Sequence, residues 1–369
     1  MKVVKEQSHS TTIHKITRTK ITYKITTGIY NLVIIIAILS ISKFLLEDYK
    51  EFGWIMSIPL ADVTYKDVSY FLLVLLFIFV RSILIFFIVK FNYRYIYSII
   101  VCLYTELIVC YINFKYIQHA YLAGWALSLG IIYLAKIVSF LLVQNETKGT
   151  NVKPLKFKHF LYFLIVPTLC YQSVYPMLVK RNYKKIGYRF IQFLVGFFLF
   201  VFVSDQYSIP SIYRIIDMKN FSVIFENTIN LVISTALMFL IFFHLVFVCS
   251  LDIIAEITLF HDNTFYQSWW NSTTAAEFWA MWNVPVHKWF KRHIYKPLLI
   301  NKYGKLTAQT VCFFISALVH EYVLSVSTKK FCGWLFIGMM AQVPYIYITQ
   351  FIERKCPYFA NFFFWILIL

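Results

Sequence analysis

Residues 69–89 read SYFLLVLLFIFVRSILIFFIV, and this run decides the class of fold. A helix needs about 20 mainly apolar residues to cross a bilayer, and this run supplies 21. Working outward, further stretches of that kind occur at 28–46, 95–113, 120–143, 188–209, 228–250, 308–328 and 331–351. Another, 159–179, is apolar but broken by Pro167 and Pro176, and a run from Phe362 to Leu369 is too short to cross by itself. With no internal repeat and no linker, the pattern predicts an all-α polytopic membrane protein, a bundle of about eight to nine transmembrane helices.

Composition excludes the soluble alternative. Of 369 residues 60% are hydrophobic and 14% charged, with 38 Phe and 27 Tyr, whereas soluble domains carry roughly 25% charged residues. The net charge of +18 would suggest nucleic acid in a soluble chain. Here the basic residues fall in short loops between apolar runs, where membrane orientation and anionic headgroups account for them, so no nucleic-acid partner is expected. The seven cysteines form no C-x-x-C pair and sit mostly in apolar stretches, as small buried hydrophobes and not as disulfides or metal ligands.

Residues 1–27 are basic and rich in Ser and Thr, which predicts a cytosolic tail. The apolar run after them lacks a small-x-small cleavage site, so 28–46 is expected to be a retained anchor and 28–369 a single membrane domain. The loop 47–68 is acidic, whereas basic clusters fall before residue 28, at Lys90 and Arg94, at 148–158, at 180–189 and at 288–305. With a cytosolic N-terminus, alternation works through residue 158 and then fails at 159–179, because both flanks are basic. That segment is therefore expected to dip in and return, which is tolerated where protein or a wet cavity satisfies its backbone.

Three features carry candidate chemistry. In 308–328, AQTVCFFISALVHEYVLSVST, the residues Gln309, Ser316, His320 and Ser327 fall within roughly 20° of one line on a helix. A polar stripe with an ionisable centre lines a polar passage; a histidine tying two helices together fits the same stripe. Glu321 points about 100° away, either to a neighbouring helix or to the imidazole through the backbone. The second feature is 265–299, where Trp269, Trp270, Trp279, Trp282 and Trp289 crowd into 21 residues. Beyond Pro285, Val286, Trp289, Phe290 and Ile294 recur at helical spacing opposite Lys288, Lys291 and Arg292, predicting a cytosolic amphipathic helix, either a membrane-hugging brace or a catalytic gate. Asn283, before the proline turn, is a candidate amide donor to a developing oxyanion or ordinary turn punctuation. The third is 166–176, VPTLCYQSVYP, where Tyr171 and Gln172 line a cavity or belong to a structural break in a helix.

Four motifs in order, PTLCY (167–171), FYQSWWN (265–271), WNVPVHKW (282–289) and HEY (320–322), resemble the branch of the membrane-bound O-acyltransferase (MBOAT) superfamily that esterifies diacylglycerol or sterols. The likeness covers roughly 155–360, and RHIYKP (292–297) with GMMAQVP (338–344) lean toward the diacylglycerol acyltransferases. The resemblance implies a multi-pass, oligomeric enzyme of the endoplasmic reticulum. It would use acyl-CoA as co-substrate without a cofactor or metal and acylate the hydroxyl of diacylglycerol to triacylglycerol, or that of a sterol to a steryl ester. It implies His320 and Asn283 as catalytic residues, the first as base on the lipid hydroxyl and the second at the thioester oxyanion. Substrate contacts are implied for Phe265, Tyr266, Trp269, Trp270, Asn271, Trp282, His287, Lys288, Glu321 and Gln342. Polyanionic coenzyme A is expected to be drawn by Lys288, Lys291 and Arg292. Two departures stand out. The family's Asp is Ser268 here, and family members continue past the counterpart of Leu369 into a span with Gly-Gln-Pro, so part of a pocket wall is expected to be lacking. A transporter or a non-catalytic membrane scaffold are the alternatives of another class.

Overall fold

The computed structural model describes residues 62–91, 95–146, 156–217 and 220–368, with a few isolated positions between 46 and 53. The chain divides into units 1–56 and 57–369, and nearly all described residues belong to the second. The tail expected over 1–27 and, Leu46 apart, the anchor expected over 28–46 lie outside the described residues.

Seven helices among the described residues are long and apolar enough to cross a membrane, and each falls on an expected run. In chain order they begin with α1 (Tyr65–Lys90), α2 (Tyr95–Tyr116) and α3 (Ala120–Glu146). After the short α4 (Phe157–Ile165), the fourth span runs through α5 (Tyr183–Val203), a π-helical turn (Ser204–Ser208) and α6 (Ile209–Asp217). The fifth joins α7 (Phe221–Phe243), a second π turn (His244–Ser250) and α8 (Leu251–Thr258). Then come α9 (Ala275–Met281), α10 (Val284–Phe290), a third π turn (Lys291–Tyr295) and α11 (Lys296–Ile300). Spans α12 (Lys305–Thr328) and α13 (Trp334–Lys355) follow, and α14 (Ala360–Ile368) packs on α13.

Local chemistry sets the boundaries. Thr64 and Asp67 form a reciprocal capping box at the start of α1, worth about 1 kcal/mol. The second oxygen of Asp67 accepts from the backbone N–H of Gln118 at 2.6 Å and so pins the α2–α3 turn to the same end. α4 has nine residues, about 14 Å of helix, and cannot cross. It stops at Val166, whose φ of −61° and ψ of 147° are the extended values that Pro167 enforces. The carbonyls this break would strand are collected by Lys136 of α3, whose Nζ donates to the oxygens of Phe163, Leu164 and Val166 at 2.8, 2.9 and 2.6 Å. Three acceptors match the three N–H of an ammonium, and a helix C-terminus attracts a cation. The expected non-crossing segment is thus held from inside the bundle.

Two apolar clusters fill the interior. One joins α1, α2 and α3 to the back of α12; the other, largely aromatic, gathers α3, α4, α7, the 260–282 segment and α14. Lys185 and Arg189 of α5 pair with Asp252 and Glu256 of α8 at 2.6–3.0 Å, closing the loop that follows the broken segment.

Candidate active site

The backbone first joins two of the motifs. Val284 N–H donates to Phe265 O at 3.0 Å and Gln267 N–H to Met281 O at 2.8 Å, so FYQSWWN lies along WNVPVHKW. Phe265 and Trp269, each 3% exposed, sink into the aromatic cluster. Trp269 meets Phe243 edge-on at 4.9 Å, Trp282 stacks on Phe239 at 5.3 Å, and Tyr266 meets Phe243 at 5.0 Å. Rings that bury 150–250 Å² each make this a foundation. Substrate contact is expected of Phe265 and Trp269; the Trp269 ring packs against Phe243 of α7 and Phe278 of α9, and Phe265 belongs to the same aromatic cluster. Trp270 and Asn271 stay exposed, as does Ser268. The Trp270 carbonyl accepts from Asn361 Nδ2 and Trp365 Nε1 of α14, each at 3.2 Å.

Asn283 caps α10, its Oδ1 accepting Val286 N–H at 3.3 Å. That bond fixes which end of the amide is oxygen and leaves Nδ2 without a partner among the described residues. Further along α10, burial and then Lys291 hold the His287 imidazole below its usual value. Lys288 reaches Asp262 at 3.1 Å. Burial alone would raise the Asp262 carboxyl, but Lys288 and Thr264 outweigh it and keep it below the usual carboxylate range.

The amphipathic stretch is helical as its spacing predicts, with a π turn at 291–295. Its apolar side grips α3 through Trp289 Nε1, which donates to Ala135 O at 2.9 Å. Within the π turn Arg292 reaches the broken segment and His293 reaches α3. Arg292 Nη1 donates to Tyr171 O at 3.0 Å, while Ser139 Oγ of α3 accepts Tyr171 N–H at 2.8 Å and meets His293 Nε2 at 2.8 Å. Burial and then Arg292 press His293 down to about 4, so it is neutral at pH 7. Tyr171 is itself 5% exposed, among Phe140, Phe163 and His159, and Gln172 is exposed. Of the two readings of PTLCY, the structural break accounts for Tyr171.

His320 lies on α12, exposed although mid-span, on the face that also carries Gln309 and Ser316. Its Nδ1 sits 2.7 Å from the Ser316 carbonyl, which can only accept. The ring proton is therefore on Nδ1, and Nε2 keeps its lone pair. No hydrogen bond joins His320 to Asn283 among the described residues. Trp279 of α9 links α12 to α13: its ring meets Phe313 at 5.8 Å, and its Nε1 donates to Gln342 Oε1 at 3.1 Å. Gln309 Oε1 accepts from Tyr347 OH at 2.9 Å, a second α12–α13 tie.

Glu321, expected at the substrate, is tied to the neighbouring helix. It is 5% exposed, and its oxygens accept from Ser325 Oγ at 2.8 Å and from the backbone N–H of Gly333 and Phe336 at 2.9 and 3.2 Å. Of the two orientations open to it, the carboxylate takes the one toward a neighbouring helix, at the N-terminus of α13. Residues that sequence reasoning passed over are Lys136, Ser139, Arg81, Glu106 and Tyr322. For the charged three the signal was present: an ionisable residue inside an apolar run.

Comparison with known proteins shows the family. The family model of the membrane-bound O-acyltransferases matches residues 41–369. Diacylglycerol O-acyltransferase 1-2 of rice (Oryza sativa subsp. japonica) is 35% identical over 259 residues, covering 64% of this chain and 54% of the relative. Diacylglycerol O-acyltransferase 1 of Bos taurus is 38% identical over 200 residues, 53% of this chain and 40% of the relative. The Arabidopsis thaliana protein of that name is 28% identical over 368 residues, 92% of this chain and 69% of the relative. The chain thus spans about half the length of the rice relative and two fifths of the bovine one. With a match across nearly all of its length, the chain belongs to the membrane-bound O-acyltransferase family.

Proposed function

We propose that this protein transfers a fatty acyl group from acyl-CoA to the hydroxyl of diacylglycerol, forming triacylglycerol, with His320 as general base. The observation that carries the proposal is the commitment of His320 Nδ1 to the Ser316 carbonyl, inside a span but on an exposed face. It leaves Nε2 as a lone pair at membrane depth, where a lipid alcohol arrives. Nε2 takes the hydroxyl proton, the hydroxyl oxygen attacks the thioester carbonyl, and the C–S bond breaks. The proton then passes from the imidazolium to the departing thiolate, giving ester and free coenzyme A. Asn283 is suited to the oxyanion because its Oδ1 is fixed by the α10 cap and its Nδ2 is unpaired among the described residues.

The names of the relatives support diacylglycerol as acceptor, and the basic face of the 284–300 helix supports a polyanionic donor arriving there. On that face the Lys291 side chain makes no hydrogen bond among the described residues, whereas Lys288 is paired with Asp262. The loop-charge bias supports a cytosolic N-terminus; residence in the endoplasmic reticulum and assembly with a second copy are carried over from the family resemblance. The test is product analysis. Purified protein in vesicles containing equal diacylglycerol and sterol receives labelled oleoyl-CoA, and labelled triacylglycerol is expected to predominate. Steryl ester as the main product would move the acceptor to a sterol, and no ester of any kind would end the proposal.

A further inference from the structure

The imidazole of His320 has no side-chain tie to any other helix among the described residues; its one strong bond, to Ser316 O, lies within α12. Its place in the bundle is therefore whatever place α12 takes. At the level of His320, the next two residues tie α12 to its neighbours, apart from the Gln309 and Phe313 contacts nearer its start. At about 100° per residue, His320, Glu321 and Tyr322 fan over three faces of one turn.

Glu321 grips the N-terminus of α13. Its carboxylate receives the Gly333 and Phe336 N–H groups, two of the donors a helix start leaves unsatisfied, at the end where the helix dipole favours a negative charge. Tyr322 reaches the other way. Its hydroxyl donates to Glu106 Oε1 of α2 at 3.1 Å, and Glu106 Oε2 accepts from Arg81 Nη1 of α1 at 2.7 Å. Arg81 is fully buried, and its Nη2 donates to the Gly130 carbonyl of α3 at 3.1 Å. Gly130 packs closely there: a Cβ on it would lie 3.7 Å from Ile78 Cδ1 and 3.9 Å from Glu106 Oε1, in ordinary van der Waals contact. One ion pair thus collects α1, α2, α3 and α12. A buried pair adds little net stability over apolar residues of the same volume, so its presence at membrane depth calls for a role other than stability.

We propose that Glu321 and Tyr322 are positioning residues that fix the height and rotation of α12, and so the place where His320 presents Nε2, by anchoring to α13 and to the Arg81–Glu106 pair. With the Gln309 and Phe313 contacts one end of α12 is tied; two anchors on adjacent faces of the His320 turn fix that turn as well. The proposal rests on the acyl-transfer reading for its kinetic readout and on geometry for the rest.

Tyr322→Phe removes one hydroxyl and keeps the ring. It is expected to lower kcat at least tenfold with KM for acyl-CoA within twofold, since misplacing a reacting group by about 1 Å costs about 100-fold. Arg81→Met with Glu106→Leu removes the anchor without leaving an unpaired charge, is expected to keep the thermal transition of the wild type, and makes Tyr322→Phe add nothing further. Glu321→Ala is expected to lower kcat likewise, and Glu321→Gln, which keeps an acceptor for the α13 start, to recover part. A second arm does not depend on turnover. In bilayers, 15N-histidine protein is expected to give one sharp Nδ1-protonated signal from His320, identified by its loss in His320→Gln, and Tyr322→Phe to broaden or split it. A Tyr322→Phe kcat within threefold of wild type, or an unchanged ring signal, would overturn the proposal. If the wild type makes no ester, the acyl-transfer reading falls and the ring signal alone decides the positioning role.

Discussion

Replacing Lys136 by methionine tests the device that holds the broken segment. Methionine keeps much of the stem's volume but brings no donor, so the carbonyls of Phe163, Leu164 and Val166 lose the bonds now made at 2.8, 2.9 and 2.6 Å. Each buried acceptor left unpaired costs about 1–3 kcal/mol. Val166 O keeps the Thr168 N–H, so two such losses span about 2–6 kcal/mol; with the third bond weakened and a buried cation's desolvation penalty removed, about 3 kcal/mol is the expected net cost. At 1.4 kcal/mol per factor of ten, that raises the open population of the segment roughly 100-fold. Hydrogen exchange read by mass spectrometry on protein in nanodiscs measures it. The amides of Thr168, Tyr171 and Gln172 now donate to Val166 O, Ser139 Oγ and Tyr175 OH. These three should exchange about 100-fold faster in Lys136→Met, with α12 and α13 unchanged. Exchange within threefold of wild type would refute the claim that this lysine closes the end of α4.

Other variants separate structure from chemistry. Asn283→Ser keeps a capping oxygen at the start of α10 and is expected to hold the thermal transition while ester synthesis falls about 100-fold, the usual cost of an oxyanion donor; Asn283→Ala should in addition lose about 1 kcal/mol of stability. His293 is held down to about 4 against an ordinary 6.5, so as pH falls through that window the unfolded chain takes a proton the folded one refuses. Stability should drop between those values, and His293→Asn should flatten the drop in melting temperature measured from pH 7 to 5; an unchanged slope would contradict the assignment. Trp279→Phe retains the edge contact with Phe313 and loses the donor to Gln342, and a fall in kcat of about tenfold is expected.

How much of this was legible in the sequence differs by scale. Every described span lies on an apolar run, because about 20 consecutive apolar residues have few other uses. The non-crossing segment was legible too, from Pro167 and from basic flanks on both sides. The means of holding it was not: Lys136 interrupts one run and the carbonyls it serves are 27 to 30 residues away. The packing of the tryptophan-rich loop was not legible, because interfacial belts and buried aromatic clusters draw on the same residues; the contacts of Trp269 and Trp282 with α7 show it. The orientation of Glu321 was open for a related reason: adjacency to His320 in sequence is about 100° of separation on a helix, and only the Gly333 and Phe336 N–H groups show which neighbour it meets. The tautomer of His320 was beyond reach of any motif, because it depends on the Ser316 carbonyl one turn below.

The most direct measurement is the initial rate of labelled triacylglycerol formation from oleoyl-CoA and diacylglycerol by wild type and His320→Gln, reconstituted in the same vesicles. Glutamine spans a similar length and cannot accept and release a proton near neutral pH. The account predicts that the wild type makes the ester and that the variant, folded and still stabilised against heat by acyl-CoA, makes it at least 100-fold more slowly, a loss on the scale of general-base catalysis. Ester formation by the variant at a rate near that of the wild type would contradict it.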